Sequence, residues 1–228
     1  MLRLLVISVW LLSLSAIAKE STCYGTVANG ALRDGVALPE DGPNFTSYSG
    51  LAITLGRTHV HSRVATVVSE AYAAAAKSLP EVVYVYGETG WAEGGRFRPH
   101  KTHQNGLSVD FFVPVRDADG KSVPIPTSPF TRYGYDLEFD AKARLDGLTI
   151  DFEATAEHLY QLDRAGRRHG APIGLVIFDV AYLERLFATR RGPALRRLPF
   201  LRRTPWVRHD EHYHVDFAVP CRSGLPKD

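Results

Sequence analysis

An aspartate sits inside an apolar strand, and the chain must fold so as to answer it. The run LSVDFFVPV at 107–115 reads as a β-strand. Side chains alternate along a strand, so Leu107, Val109, Phe111 and Val113 share one face, while Ser108, Asp110 and Phe112 share the other. A carboxylate in such a strand is costly unless it is paired or ligates a metal. Asp110 therefore demands a partner on its own face. His100 and His103 precede it, and Gly106 lets the chain turn so that the His103 imidazole faces the carboxylate.

A second stretch, RHDEHYHVDF at 208–217, complements the first, and its three histidines with His100 and His103 make five of the chain's nine. In a strand His212 and His214 point one way, about 6–7 Å apart, and Tyr213, Val215 and Phe217 point the other. If the two strands are neighbours, His103, Asp110 and His214 converge. Two imidazoles and a carboxylate, with a fourth position open to water, form a catalytic zinc set. His212 and His209 are then expected to act as general base or oxyanion partner. Glu211 directly precedes His212, so in a continuous strand it faces away, which favours a histidine base over a glutamate. Of the other histidines, His59 and His61 read as surface or capping residues. His158 and His169 read as structural, the latter at a helix C-terminus that suits a cation.

The remaining chain sets the frame. Its 228 residues fit one domain, and 45% hydrophobic with 23% charged residues is an ordinary globular balance. A net charge of +2 gives no support to nucleic-acid binding. Residues 1–18 have the form of a signal peptide: Arg3, an apolar run from Leu4 to Leu14, and Ala16-Ile17-Ala18 before the expected cut. No other segment is long enough to cross a bilayer. Cys23 and Cys221 stand at the two ends of the mature chain, where a disulfide is expected in an exported protein.

Residues 19–57 read as an irregular arm. Helices are expected over 62–79, 153–170 and from Asp179, strands over 81–87, 107–115, 173–178 and 212–219, and a turn-rich excursion over 116–147. Helices and strands mix without a β-α-β rhythm. The expected fold is therefore α+β, a single domain over 19–228 with a mainly antiparallel sheet and flanking helices.

The stretch GGRFRPHKTHQNGLSVDFF, followed far downstream by RHDEHYHVDF, resembles the penicillin-insensitive murein endopeptidases. These belong to a wider group of zinc peptidases sharing H-x6-D and H-x-H. The resemblance implies a zinc peptidase core with His103, Asp110 and His214 as zinc ligands, and His100 as a further ligand or a support beside the metal. His209 and His212 match the family's candidates for base and transition-state stabiliser. It implies a periplasmic enzyme that hydrolyses peptide cross-links of peptidoglycan, at the bond between D-alanine and meso-diaminopimelate. Ser108 departs from the family pattern, standing where the best-known members have an acidic residue, and Asp210 and Glu211 add carboxylates inside the histidine triplet. Arg96 is a candidate for a substrate carboxylate, and Trp91 and Tyr213 for groove or core. The alternatives are a D,D-carboxypeptidase or dipeptidase, an amidase, or a wall-binding zinc protein without activity.

Overall fold

The computed structural model describes residues 19–205 and 207–226, so the expected signal peptide lies outside the described residues. The centre is a six-stranded sheet. Its strands are β1 (Asp41–Gly42), β2 (Phe45–Ser47), β3 (Tyr84–Tyr86), β4 (Ser108–Phe112), β5 (Ile173–Ile177) and β6 (His212–Phe217), in the order β5-β6-β4-β3-β2-β1. All neighbours run antiparallel except β2 and β3. The fold is α+β with a mainly antiparallel sheet, as expected.

Two helices cover one face. α1 (Ser62–Ser78) buries Val64, Val67, Val68, Ala71, Tyr72 and Ala75, a stripe at three- and four-residue spacing. The His61 side chain caps its start by accepting from the Arg63 backbone, in keeping with a capping role. Pro80 follows the last turn and stops it. α2 (Phe152–Arg168) begins at Asp151, whose carboxylate accepts from the Ala154 amide at 2.9 Å. Its His158 is wholly buried among Tyr72, Tyr84 and Phe111, and its Nδ1 lies 2.6 Å from the Tyr213 hydroxyl. Tyr213 is thus a packing residue, as alternation along β6 requires.

The expectation for residues 19–57 is corrected. They carry a hairpin of Thr22–Thr26 with Asn29–Arg33, the two strands β2 and β1 at one edge of the central sheet, and a short helix, Gly50–Thr54. The excursion contributes to a second, four-stranded sheet of very short strands, in which Val115–Arg116 pairs with Ser122–Val123 and Leu148–Ile150. The stretch from Asp179 is a 3₁₀ turn, Val180–Tyr182, then a helix over Leu183–Phe187. Cys23 and Cys221 form the expected disulfide, closing a separation of 198 residues. No helix of the described residues is long and apolar enough to cross a membrane.

Candidate active site

The face of the sheet opposite the helices carries the histidines. β4 and β6 are direct neighbours, and their register sets His214 across from Asp110, His212 across from Phe112, and Asp216 across from Ser108. Period-two alternation then turns Asp110, His212, His214 and Asp216 to one side and Val109, Phe111, Tyr213 and Val215 to the core. His103 reaches the same side from the preceding loop. It is buried and holds a left-handed backbone, φ 67°. Gly106, at φ 75°, lets the loop lie close to its neighbours: a Cβ there would fall 2.8 Å from the His61 backbone nitrogen.

Asp110 Oδ1 is the focus. His214 Nδ1 lies 2.8 Å from it, His103 Nε2 3.3 Å and His212 Nε2 4.0 Å. The other oxygen, Oδ2, accepts from the Tyr135 hydroxyl at 3.0 Å and lies 3.8 Å from His100 Nδ1. His103 is decisive. Its Nδ1 stands 3.0 Å from the Thr89 carbonyl, which can only accept, so Nδ1 carries the proton. Burial lowers its pKa against the opposing effect of Asp110, keeping the ring neutral. Its Nε2 therefore has a bare lone pair, is buried and has no hydrogen-bond partner. A lone pair held against a carboxylate oxygen calls for a cation between them, so the residues fit a metal. His100, His103 and Asp110 offer ligand atoms within 4.8 Å of one another.

Each ring has a support behind it. His214 Nε2 meets Asp216 Oδ1 at 2.8 Å, and Asp216 accepts from the Ser108 hydroxyl at 2.6 Å. Burial would lower the His214 pKa, but Asp216 and Asp110 outweigh it and raise it to about 10. Ser108, the departure from the family pattern, thus braces Asp216. Asp216 itself follows from the alternation His212, His214, Asp216. His100 Nε2 lies 2.6 Å from Glu88 Oε2, and Glu88 also accepts from Tyr48 at 2.7 Å and from Arg57. Burial would raise Glu88, but His100 and Arg57 hold it down to about 2.

His209 and His212 stand together, ring centres 4.6 Å apart, on the wall of a cavity of about 550 Å³. His209 Nδ1 is 2.7 Å from the Val207 carbonyl, so its Nε2 keeps the lone pair. Burial pushes its pKa to about 3 and that of His212 to about 4.

The expectation for Glu211 is corrected. β6 begins at His212, so strand alternation does not govern Glu211. Its Oε1 turns back to lie 2.8 Å from His212 Nδ1, and burial raises its carboxyl to about 8. The cavity is also lined by Glu88, His100, Arg132, Tyr133, Tyr135, Asp136 and Val207. Arg96 is exposed and not among the lining residues, so the structure does not bring it to the site. Trp91 packs edge-on against Phe97. Of the arginines at 189–203, Arg190 and Arg191 pair with Glu157, Arg197 with Asp163 and Arg196 with Glu184.

The model of one protein family, penicillin-insensitive murein endopeptidase, matches residues 23–125, bearing out the resemblance. That span holds His100, His103 and Asp110 and ends before His209, His212 and His214. No curated protein matches the chain.

Proposed function

We propose, starting from this likeness to a family of murein endopeptidases, that the chain is an exported zinc peptidase. Its substrate is the peptide cross-bridge of peptidoglycan, cut between D-alanine and meso-diaminopimelate. The observation that carries the reading is the bare, partnerless Nε2 of His103 facing Asp110 Oδ1, with His214 Nδ1 on the same oxygen. His103, Asp110 and His214 would hold the metal, with His100 as a further ligand. Three nitrogens and a carboxylate are donors that suit zinc. Bound there, zinc would lower the pKa of a water and polarise the scissile carbonyl.

The chain's own residues do the rest. The His209 Nε2 lone pair is available to take a proton from the attacking water. His212 and Glu211 share a proton over 2.8 Å, and this pair can deliver it to the departing amine. Tyr135 holds the second Asp110 oxygen, and Asp216 and Glu88 fix the rings of His214 and His100. No serine or cysteine nucleophile is required, which agrees with insensitivity to β-lactams. The end-to-end disulfide and the leader-like first residues support action in the periplasm.

The test is mass spectrometry of cross-linked muropeptides incubated with zinc-loaded protein. Dimers should convert to monomers, and His103→Ala, Asp110→Ala or His214→Ala should abolish the conversion. Full activity in any of these variants, or after chelation, would sink the reading. Release of a terminal D-alanine in place of dimer cleavage would favour a D,D-carboxypeptidase.

A further inference from the structure

We propose that Arg132 is the specificity residue of the cavity, binding a free carboxylate on the residue that supplies the scissile nitrogen. The proposal rests on the peptidase reading above and concerns substrate choice within it. Arg132 lies beyond the span that matches the family model.

Charge comes first. Among the described residues lining the cavity, Arg132 is the one guanidinium or ammonium. Two carboxyl groups of the lining are engaged within the protein: Glu88 with Arg57 and His100, Glu211 with His212. Arg132 has one ion pair, a single nitrogen 3.3 Å from Asp136 Oδ1, and both side chains are more exposed than buried or nearly so, at 67% and 48%. Such an exposed pair four residues apart is weak. It leaves most of the planar fork open to a carboxylate, which a guanidinium binds through two parallel hydrogen bonds.

Backbone comes second. Arg132 and Tyr133 both hold left-handed conformations, φ 46° and 58°, and neither is glycine. Two such residues in succession are disfavoured and persist only where surroundings impose them. Here the Tyr133 amide donates to the Ser128 carbonyl at 2.6 Å, and the Thr131 hydroxyl accepts from the Ser128 and Gly134 amides. The Tyr133 ring stands edge-on to Tyr48.

The turn is also joined to the metal-binding strand. Gly134 packs against the Phe112 ring, two residues from Asp110, and the Tyr135 hydroxyl donates to Asp110. The Arg132 backbone is therefore held in fixed relation to Asp110, with its exposed side chain at the cavity. A cross-bridge peptide fits this arrangement. When an α-amino acid supplies the scissile nitrogen, its free carboxylate lies one carbon away from that nitrogen.

The experiment compares two cross-linked peptides that differ only in whether this carboxylate is free or amidated. Wild-type protein should cut the free form at least about tenfold better in kcat/KM. Arg132→Gln should bring the ratio to about one, chiefly through KM. Arg132→Gly, which suits the left-handed backbone, should do the same, so a fault in the turn cannot produce the result. Arg132→Lys should keep part of the preference. A wild-type enzyme indifferent to amidation, or a preference that survives in both neutral variants, overturns the proposal and leaves the peptidase reading standing. A wild-type protein that cuts neither peptide removes both.

Discussion

Replacing Asp216 by alanine takes away the carboxylate behind His214. Asp216 Oδ1 contacts His214 Nε2 at 2.8 Å and the Ser108 hydroxyl at 2.6 Å, in a buried setting. Losing an outer partner of this kind weakens metal binding about 10–100-fold, or about 1.4–2.7 kcal/mol at about 1.36 kcal/mol per decade. A second effect has the opposite sign. Against the lowering effect of burial, Asp216 and then Asp110 raise the His214 pKa to about 10. A metal must displace that proton, so the wild type meets a cost at neutral pH that shrinks as the pH rises.

The alanine variant loses part of this proton competition along with the support. Its affinity deficit should therefore be widest near about pH 9 and narrow towards about pH 6. Competition titrations against a chromophoric zinc chelator at three pH values measure this. Asp216→Asn, which keeps an acceptor without the charge, should fall between the two. Wild-type affinity in Asp216→Ala at the alkaline end, or a deficit that ignores pH, would refute the role given to Asp216.

His158 is buried, and burial lowers its pKa to about 3, below the value of about 6.5 for an unfolded chain. The unfolded chain takes up the extra proton, so this stability is present above about pH 6.5 and is lost as pH falls towards 3. The loss is about 3 kcal/mol by pH 4. Urea denaturation should show a smaller acid loss for His158→Phe than for wild type, and equal losses would contradict the assignment. Reducing the Cys23–Cys221 disulfide, which spans 198 residues, should cost about 5 kcal/mol on the chain-entropy model. Denaturation with and without reductant checks it, and a change under about 1 kcal/mol would count against that model here. Glu211→Ala should lower kcat by about 100-fold with little change in KM, because His212 loses the group that orients it. An unaltered kcat would remove Glu211 from the proton relay.

The centre of the fold was legible because two strands each carry a period-two pattern strong enough to assign faces. Asp110 and His214 were placed on matching polar faces from alternation alone, and the register pairs them. The long helices were equally clear, since Val64, Val67, Val68, Ala71 and Tyr72 repeat at helical spacing. The arm was not legible. Its sheet strands, Asp41–Gly42 and Phe45–Ser47, are two and three residues long, too short to show any periodicity. What places Phe45–Ser47 in the sheet is parallel pairing with Tyr84–Tyr86, a contact across nearly forty residues that local pattern cannot announce.

The site divides along the same line. The half built around Asp110 lies on strands or beside them, where alternation reaches even Asp216. The half that lines the cavity lies where alternation stops. Glu211 immediately precedes the first residue of β6, and that single position frees its side chain to fold back on His212. Extending the strand one residue too far reverses the inference from a carboxylate–histidine pair to a lone histidine. The cavity wall at 128–136 gives still less away. Its tandem left-handed residues are Arg132 and Tyr133, not the glycine or asparagine that normally marks such a turn. Tyr48, Ser128 and Thr131 impose that conformation from outside the pair. The position of Arg132 at the cavity is thus a product of tertiary packing, and a cavity wall can be set this way without leaving a local motif.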